Sequence, residues 1–420
     1  MTDRSTVRVA HLDVMHSHAR ATTIVGPVDL PPADVVADRL AAMTAAGPDA
    51  RLGLRPSTRT NRWVFDPVAH RPVVTTMDAP ASPMDLLDID VDSTGAAEAR
   101  PTSVVLAGDY LRTDHNHGLG EVAFTLLLHG VVLGTIDPSD PNVWRPARRR
   151  GNGIATAALR TFGSDPRRLW ALRSSLSRAD AATTIAHTPL AGPDPVAAQQ
   201  PWTPDRTAVF SRMPPETVAQ LRAWRDNDAP GTSMFAVVAA ALHRGLRSAG
   251  LDVDDVATVT LDVRKYLADG HVPLANFVSG LEFDLGPRPT PRRIHGMVAT
   301  AVASGRPVAN VALNSARTRV GLLTGRPTAP ATRPRAPRAR LLFSSLGKVP
   351  RQGAIPWRGT ADPFYIVHND PTGPEGITVS WAMIDGSMFT AASFHGNVFD
   401  RAQVQRGLDS ATSDPLHLLR

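Results

Sequence analysis

Cysteine is absent from all 420 residues. That excludes disulfides, thiolate nucleophiles and cysteine-ligated metals, and leaves imidazole as the group suited to exchanging a proton near neutral pH. No Gly-x-Gly-x-x-Gly fingerprint, His-Glu-x-x-His run, zinc finger or RNA-recognition signature occurs, and basic and aromatic residues do not alternate regularly. These absences argue against nicotinamide binding, metal-assisted hydrolysis and nucleic-acid binding. Long apolar runs are missing near the N-terminus, where Asp3, Arg4, His11, Asp13, His16 and His18 interrupt short ones. This composition fits neither a signal peptide nor a membrane span, and a cytoplasmic protein is expected.

What is present is material for cores, with 42% hydrophobic and 20% charged residues. A chain of 420 residues exceeds what one compact core normally organises, so two packed units are expected. A composition change between Asp137 and Asp205, with Ala191-Gly192-Pro193-Asp194-Pro195 reading as a linker, divides them into residues 1–200 and 201–420. Apolar spacing predicts helices over Pro32 to Met43, Val122 to Leu128, Ile154 to Leu159, Glu216 to Trp224, Thr232 to Leu246 and Ile294 to Val302. Strands are predicted at Trp63 to Phe65, Val73 to Thr75, Ser103 to Leu106, Val256 to Val263, Phe277 to Phe283, Arg340 to Phe343, Tyr365 to Asp370 and Ile377 to Met383. Gly347-Lys348-Val349-Pro350 reads as a turn. The class is α/β with mixed sheets.

The densest chemistry is Asp114-His115-Asn116-His117-Gly118-Leu119-Gly120-Glu121, placed between apolar runs at a strand-to-helix junction. A neutral imidazole there can take a proton from an alcohol, amine or thiol, and a carboxylate can orient it. A histidine-rich polar turn is the plainer reading of the same residues. His115 and His117 on one side of an extended backbone, with Asp114 or Glu121, would begin a metal site. No second cluster completes the ligand set, so no metal is expected.

Asn116-His117-Gly118-Leu119-Gly120-Glu121-Val122 resembles the signature of CoA-dependent acyltransferases and nonribosomal-peptide condensation domains: two histidines, three residues, then Asp-Gly. Asn116 stands for the first histidine, Glu121 for the aspartate and Val122 for the glycine. Later segments follow the family's order. Thr232-Ser233-Met234-Phe235 is similar to the start of its second-half helix, and Thr260-Leu261-Asp262-Val263-Arg264 to a strand ending in arginine. Ala275-Asn276-Phe277-Val278 resembles a Gly-Asn-Phe-Val element, and Ser344-Ser345-Leu346-Gly347 a Ser-Asn-Leu-Gly segment.

The resemblance implies two related mixed-sheet subdomains forming a pseudo-dimer with an interfacial substrate tunnel. It makes His117 the catalytic base, and Glu121 the partner of Arg264 in an ion pair that locks the turn. Candidate substrate-binding residues are Asp114, His115, Asn116, Asn276 and Ser344. Further along, His368 and Asn369 read as polar strand-end residues or as entrants to a channel, and Ser380 and Trp381 as lining for an acyl group. The implied reaction is acyl transfer from a CoA or phosphopantetheine thioester to a hydroxyl or amine of a small acceptor, with no bound cofactor. An acyl or peptidyl carrier protein is the implied partner. Cyclisation, isomerisation or elimination on the same scaffold, or noncatalytic carrier binding, are the competing expectations. The net charge is +6, and Arg317, Arg319, Arg326, Arg333, Arg335, Arg338 and Arg340 read as one basic Pro-rich loop near 317–340. Such a loop suits the phosphates of CoA or an acidic carrier.

Overall fold

The computed structural model describes residues 5–89, 100–148, 152–174, 199–268, 271–325, 332–349, 355–359 and 362–420. Arg149, Arg150, the proposed linker Ala191 to Pro195, Arg326 and Pro350 lie outside them. The first half supplies β1 (Ser5–Arg8), α1 (His11–His16), β2 (Arg20–Gly26), α2 (Ala33–Ala45), β3 (Leu54–Arg55), β4 (Arg62–Phe65), β5 (Val73–Met77), β6 (Thr102–Ala107), β7 (Tyr110–Asn116) and α3 (Val122–Leu133). The second begins with β8 (Gln199–Pro201), β9 (Arg206–Met213), α4 (Pro215–Asp228), α5 (Met234–Ser248), β10 (Val256–Asp262), β11 (Val278–Asp284), α6 (Pro291–Ala303) and α7 (Arg306–Thr324). It continues with β12 (Thr332–Pro334), β13 (Arg340–Lys348), β14 (Phe364–Asn369), β15 (Gly376–Ile384), β16 (Ser387–His395) and α8 (Arg401–Ser413).

These strands build four sheets among the described residues, two small ones, β1-β4-β3 and β12-β8, and two large mixed ones. The first large sheet has the order β14-β2-β7-β6-β5, with only β5 and β6 parallel, and the second β11-β10-β13-β15-β16-β9, parallel at β10-β13 and β13-β15. One strand of the first sheet therefore comes from beyond residue 201: β14 pairs antiparallel with β2, Ile366 facing Ile24. The exchange ties the two halves by backbone hydrogen bonds.

Local sequence explains the elements around the junction. Helix α2 starts after Pro32, buries Val36, Leu40 and Met43 along one face, and stops before Gly47, whose φ of 101° takes the chain out of helical space. Helix α3 is apolar around most of its circumference, as a helix buried between layers must be. Its Phe124, Leu128 and Val132 join Leu40 of α2 and Leu111 of β7 in one core, which extends to Ala382, Ile384 and Phe389 of the second sheet. The second unit has its own core, in which Val237, Ala240 and Ala241 of α5 pack with Val259, Phe343 and Val379. Ser233 caps α5, its hydroxyl accepting from the Ala236 N–H at 3.3 Å.

Two sequence expectations are corrected. Arg317 and Arg319 belong to helix α7, which runs to Thr324, so the basic segment is not one loop from 317 to 340. Arginine has high helix propensity, and its density misreads as a solvated loop. Gly347-Lys348 is not a turn but the end of β13, where Gly347 at φ 72° accommodates a bulge between Ser345 and Gly347.

Candidate active site at the junction of the two units

Strand β7 ends at Asn116, a single 3₁₀ turn spans His117–Leu119, and α3 starts at Val122. The strand's alternation decides where its polar residues go. Asp114 pairs across from Thr22 of β2 and shares its face, whereas His115, opposite Ala21, points to the α3 side. There His115 is fully buried with its ring 5.0 Å from that of Phe124. It is a core residue, and because His117 has already left the strand the two imidazoles do not share one side of an extended backbone. Among the described residues no group of three metal-ligating side chains comes together.

The turn is braced at several points. The Asn116 side-chain oxygen accepts from the Gly118 N–H at 2.9 Å and its amide donates to the Ser17 carbonyl at 2.8 Å, so Asn116 caps the turn. Gly118 and Gly120 permit close approach: a Cβ would lie 2.8 Å from the Asp13 carbonyl oxygen at the first, and 2.4 Å from that of Leu274 at the second. Arg51, at φ 68°, donates to the carbonyls of Leu119 and Gly118 and pairs with Asp13 at 3.0 Å.

Glu121 and Arg264 are brought together. The Arg264 guanidinium donates to Glu121 Oε2 at 2.8 Å, while the Phe277 N–H donates to Oε1 at 2.6 Å. The pairing is not a bidentate fork, because the second carboxylate oxygen is spent on the backbone after Asn276. Arg264 also donates to the carbonyls of Pro273 at 3.2 Å and Ala275 at 3.0 Å, so it holds the segment that delivers Asn276. Burial raises the Glu121 carboxyl above its ordinary range, with Arg264 opposing. Both side chains are more than nine-tenths buried. Arg264→Ala strands the carboxylate, an error that costs about 3–5 kcal/mol, and E121Q/R264M should be less damaging than R264A alone. Urea unfolding checks this: equal midpoints for R264A and parent would remove the pair from the structural account.

His117 is half-buried at the end of this arrangement. Its backbone N–H donates to the Ala19 carbonyl at 2.8 Å, and its ring stacks on His16 with centroids 4.9 Å apart. Nδ1 lies 3.1 Å from Asn276 Oδ1, a contact between the two halves of the chain. Burial, then the neighbouring His117 and His18, push the His16 imidazole well below its ordinary value, so His16 is neutral beside His117. Asp13 and His16, on α1, and Arg51 escaped the sequence reading. The one signal was the density of ionisable groups from His11 to His18.

The remaining candidates fall elsewhere. Asp114 and His368 line a polar cavity of about 500 Å³ between the first sheet and the start of β9, with Arg20, Thr22, Arg206 and Asp370. Burial alone would raise the Asp114 carboxyl, but Arg20 and the Thr22 hydroxyl, which donates at 2.6 Å, outweigh it and hold it below the usual carboxylate range. Burial pushes His368 down to about 4, against the pull of Asp114. Asn369 pairs with Ala21, next to Arg20, whose strand partner is Asn116. Ser344 pairs with buried Ser380 in the middle of the second sheet. Trp381 stacks on Phe235 at 5.3 Å and lines, with Met383 and Met388, an apolar cavity of about 170 Å³. The structure thus places Asn116, His117, Glu121, Arg264 and Asn276 at one turn, Asp114 and His368 at a polar cavity and Trp381 at an apolar one, while His115, Asn369, Ser344 and Ser380 line neither cavity.

No family model and no curated protein matches the chain. Solved structures do match over nearly its whole length. The TRI3 trichothecene 15-O-acetyltransferase from Fusarium sporotrichioides aligns with a TM-score of 0.66 and 11% identity, over 99% of this chain and 96% of that one. The chain shares the fold of solved acyltransferase and condensation-enzyme structures. VibH, a nonribosomal-peptide condensation enzyme, aligns at 0.51 with 14% identity over 96% of this chain and 90% of its own. Fusarium graminearum TRI101, in complex with coenzyme A and deoxynivalenol, aligns at 0.55 with 11% identity over 96% and 98%. What is shared is the mixed α/β architecture in two units. No helix among the described residues is long and apolar enough to cross a membrane.

Proposed function

We propose that the protein is an acyltransferase in which His117 is the general base. The observation that carries the reading is the position of His117: its half-buried ring sits where the two units meet, anchored by Asn276 from the second, on a fold used by acyltransferases. In the step proposed, the Nε2 lone pair of His117 accepts the proton of an acceptor O–H or N–H as that oxygen or nitrogen attacks a thioester carbonyl. A C–O or C–N bond forms, the C–S bond breaks, and the imidazolium proton passes to the departing thiolate. The products are an acylated acceptor and a free thiol, and no acyl-enzyme is needed.

The donor class is a CoA or carrier-protein phosphopantetheine thioester, with an acyl or peptidyl carrier protein as partner in the second case. The acceptor class is a hydroxyl- or amine-bearing small molecule of the kind natural-product and lipid pathways modify. In this reading residues 1–200 and 201–420 are the two subdomains, with β14 exchanged, and the substrates meet at His117 between them.

Purified protein incubated with a panel of acyl thioesters and hydroxyl or amine acceptors tests this, with thiol release and acylated product followed together by mass spectrometry. The expected result is thiol and acylated acceptor in equal amounts. Conversion of the acceptor without thiol release would replace acyl transfer by cyclisation or isomerisation. Carrier-protein binding with both chemical species unchanged would replace it by a binding module.

A further inference from the structure

We infer that Asp13 and Asn276 act as positioning residues that fix which ring nitrogen of His117 carries the proton. The Asn276 amide nitrogen faces three oxygens: Asp13 Oδ1 at 3.1 Å, the His117 carbonyl at 2.9 Å and the Gly118 carbonyl at 3.3 Å. A carboxylate and two carbonyls only accept, so the NH₂ group of Asn276 must be the end that points at them. The Oδ1 end then faces His117 Nδ1 at 3.1 Å. An amide oxygen cannot donate, and this contact is a hydrogen bond only if Nδ1 carries the hydrogen. Nε2 is thereby left with its lone pair, the form a base requires.

Asp13 is the anchor of this arrangement. It is fully buried, and Oδ1 accepts from both the backbone N–H of Asn276 at 2.9 Å and its side-chain NH₂. Oδ2 accepts from the Ala10 N–H at 3.1 Å and pairs with Arg51 at 3.0 Å. One carboxylate therefore gathers α1, the Arg51 turn and the segment after β10, and its charge is matched by Arg51. What reaches His117 is a neutral amide oxygen of fixed orientation. Residues 263 positions apart in sequence set one proton.

The consequence rests on His117 as base, but the tautomer itself does not, so the test has two arms. In the first, ring-¹⁵N-histidine-labelled full-length protein is examined by NMR at pH 8, His117 being assigned by its loss in H117Q. A protonated Nδ1 and a bare Nε2 are expected in the parent, and a mixture of tautomers in N276A. A parent with the proton on Nε2, or a spectrum unchanged in N276A, would overturn the inference. If N276A fails to fold, the parent spectrum still decides. In the second arm, N276A and D13N, checked for folding by circular dichroism, should lose about tenfold to a hundredfold in kcat with KM little changed. A parent without turnover sinks the proposed function and leaves the spectroscopic result standing. Parental kcat in folded N276A, on an active parent, overturns the positioning role.

Discussion

Replacing His117 by Ala should lower kcat by about 10²–10⁴-fold while leaving the protein folded, because a general base contributes on that scale and little of the structure depends on this ring. Among the described residues its side chain has one hydrogen bond, to Asn276, and one stack, on His16. The turn is held instead by the backbone of His117, the Asn116 cap, Arg51 and the Glu121 brace. Losing the ring therefore removes chemistry and spares architecture. The expected kinetic pattern is a parallel fall in kcat and kcat/KM with KM unchanged, since the proton transfer matters in the transition state and not in ground-state binding. His115→Ala should show the opposite pattern, because that ring is packed on Phe124 in the core: a lower melting temperature, with turnover falling only as folded protein is lost. Product formation with thiol release, measured beside a thermal melt, separates the two. H117A turning over at the parental rate would remove His117 from the mechanism.

The contrast between these neighbouring histidines marks how far sequence carries. The elements with strong periodicity were legible: Val36, Leu40 and Met43 describe a helical face, and the wholly apolar α3 could only be buried. Strand β2 was not legible, because its Arg-Ala-Thr-Thr start lacks an alternating signature and it is buried on both faces. Nor was α7, whose arginines outweigh its apolar positions. In the site, His117, Glu121, Arg264 and Asn276 lie on motifs that stand in sequence, and the structure brings all four to one turn. That His115 faces away follows from strand parity, but only once β7 is known to extend to Asn116. Asp13 and Arg51 belong to no local pattern; they matter through contacts that only the tertiary fold creates. Ser344, Ser380 and Trp381 were grouped with the site by order along the chain, and the second sheet places them in its own layer.

The buried histidines also make the fold acid-sensitive. His115, His129 and His243 are each fully buried, and burial pushes them down to about 4, about 3 and about 4. Unfolded, each would titrate near the ordinary value of 6.5. The folded state thus keeps three imidazoles neutral where the unfolded state takes up protons, so their contribution is complete above pH 6.5 and is lost as pH falls toward 4. Between pH 6.5 and 5 the loss reaches about 2 kcal/mol for each histidine, a large share of a domain's typical 5–15 kcal/mol. Urea midpoints measured at pH 7, 6 and 5 should fall steeply, and His243→Leu, which removes one titrating group from the second core, should reduce the slope by about a third. Two of the three, His115 and His129, pack against the strand and helix that frame the His117 turn, His129 bonding Thr23 and Thr113 at 2.8 and 3.1 Å. Activity should therefore fall in step with folding on the acid side, in addition to any titration of the base. Midpoints independent of pH from 7 to 5 would show that these rings are solvated, and that the core around the turn is looser than the geometry here requires.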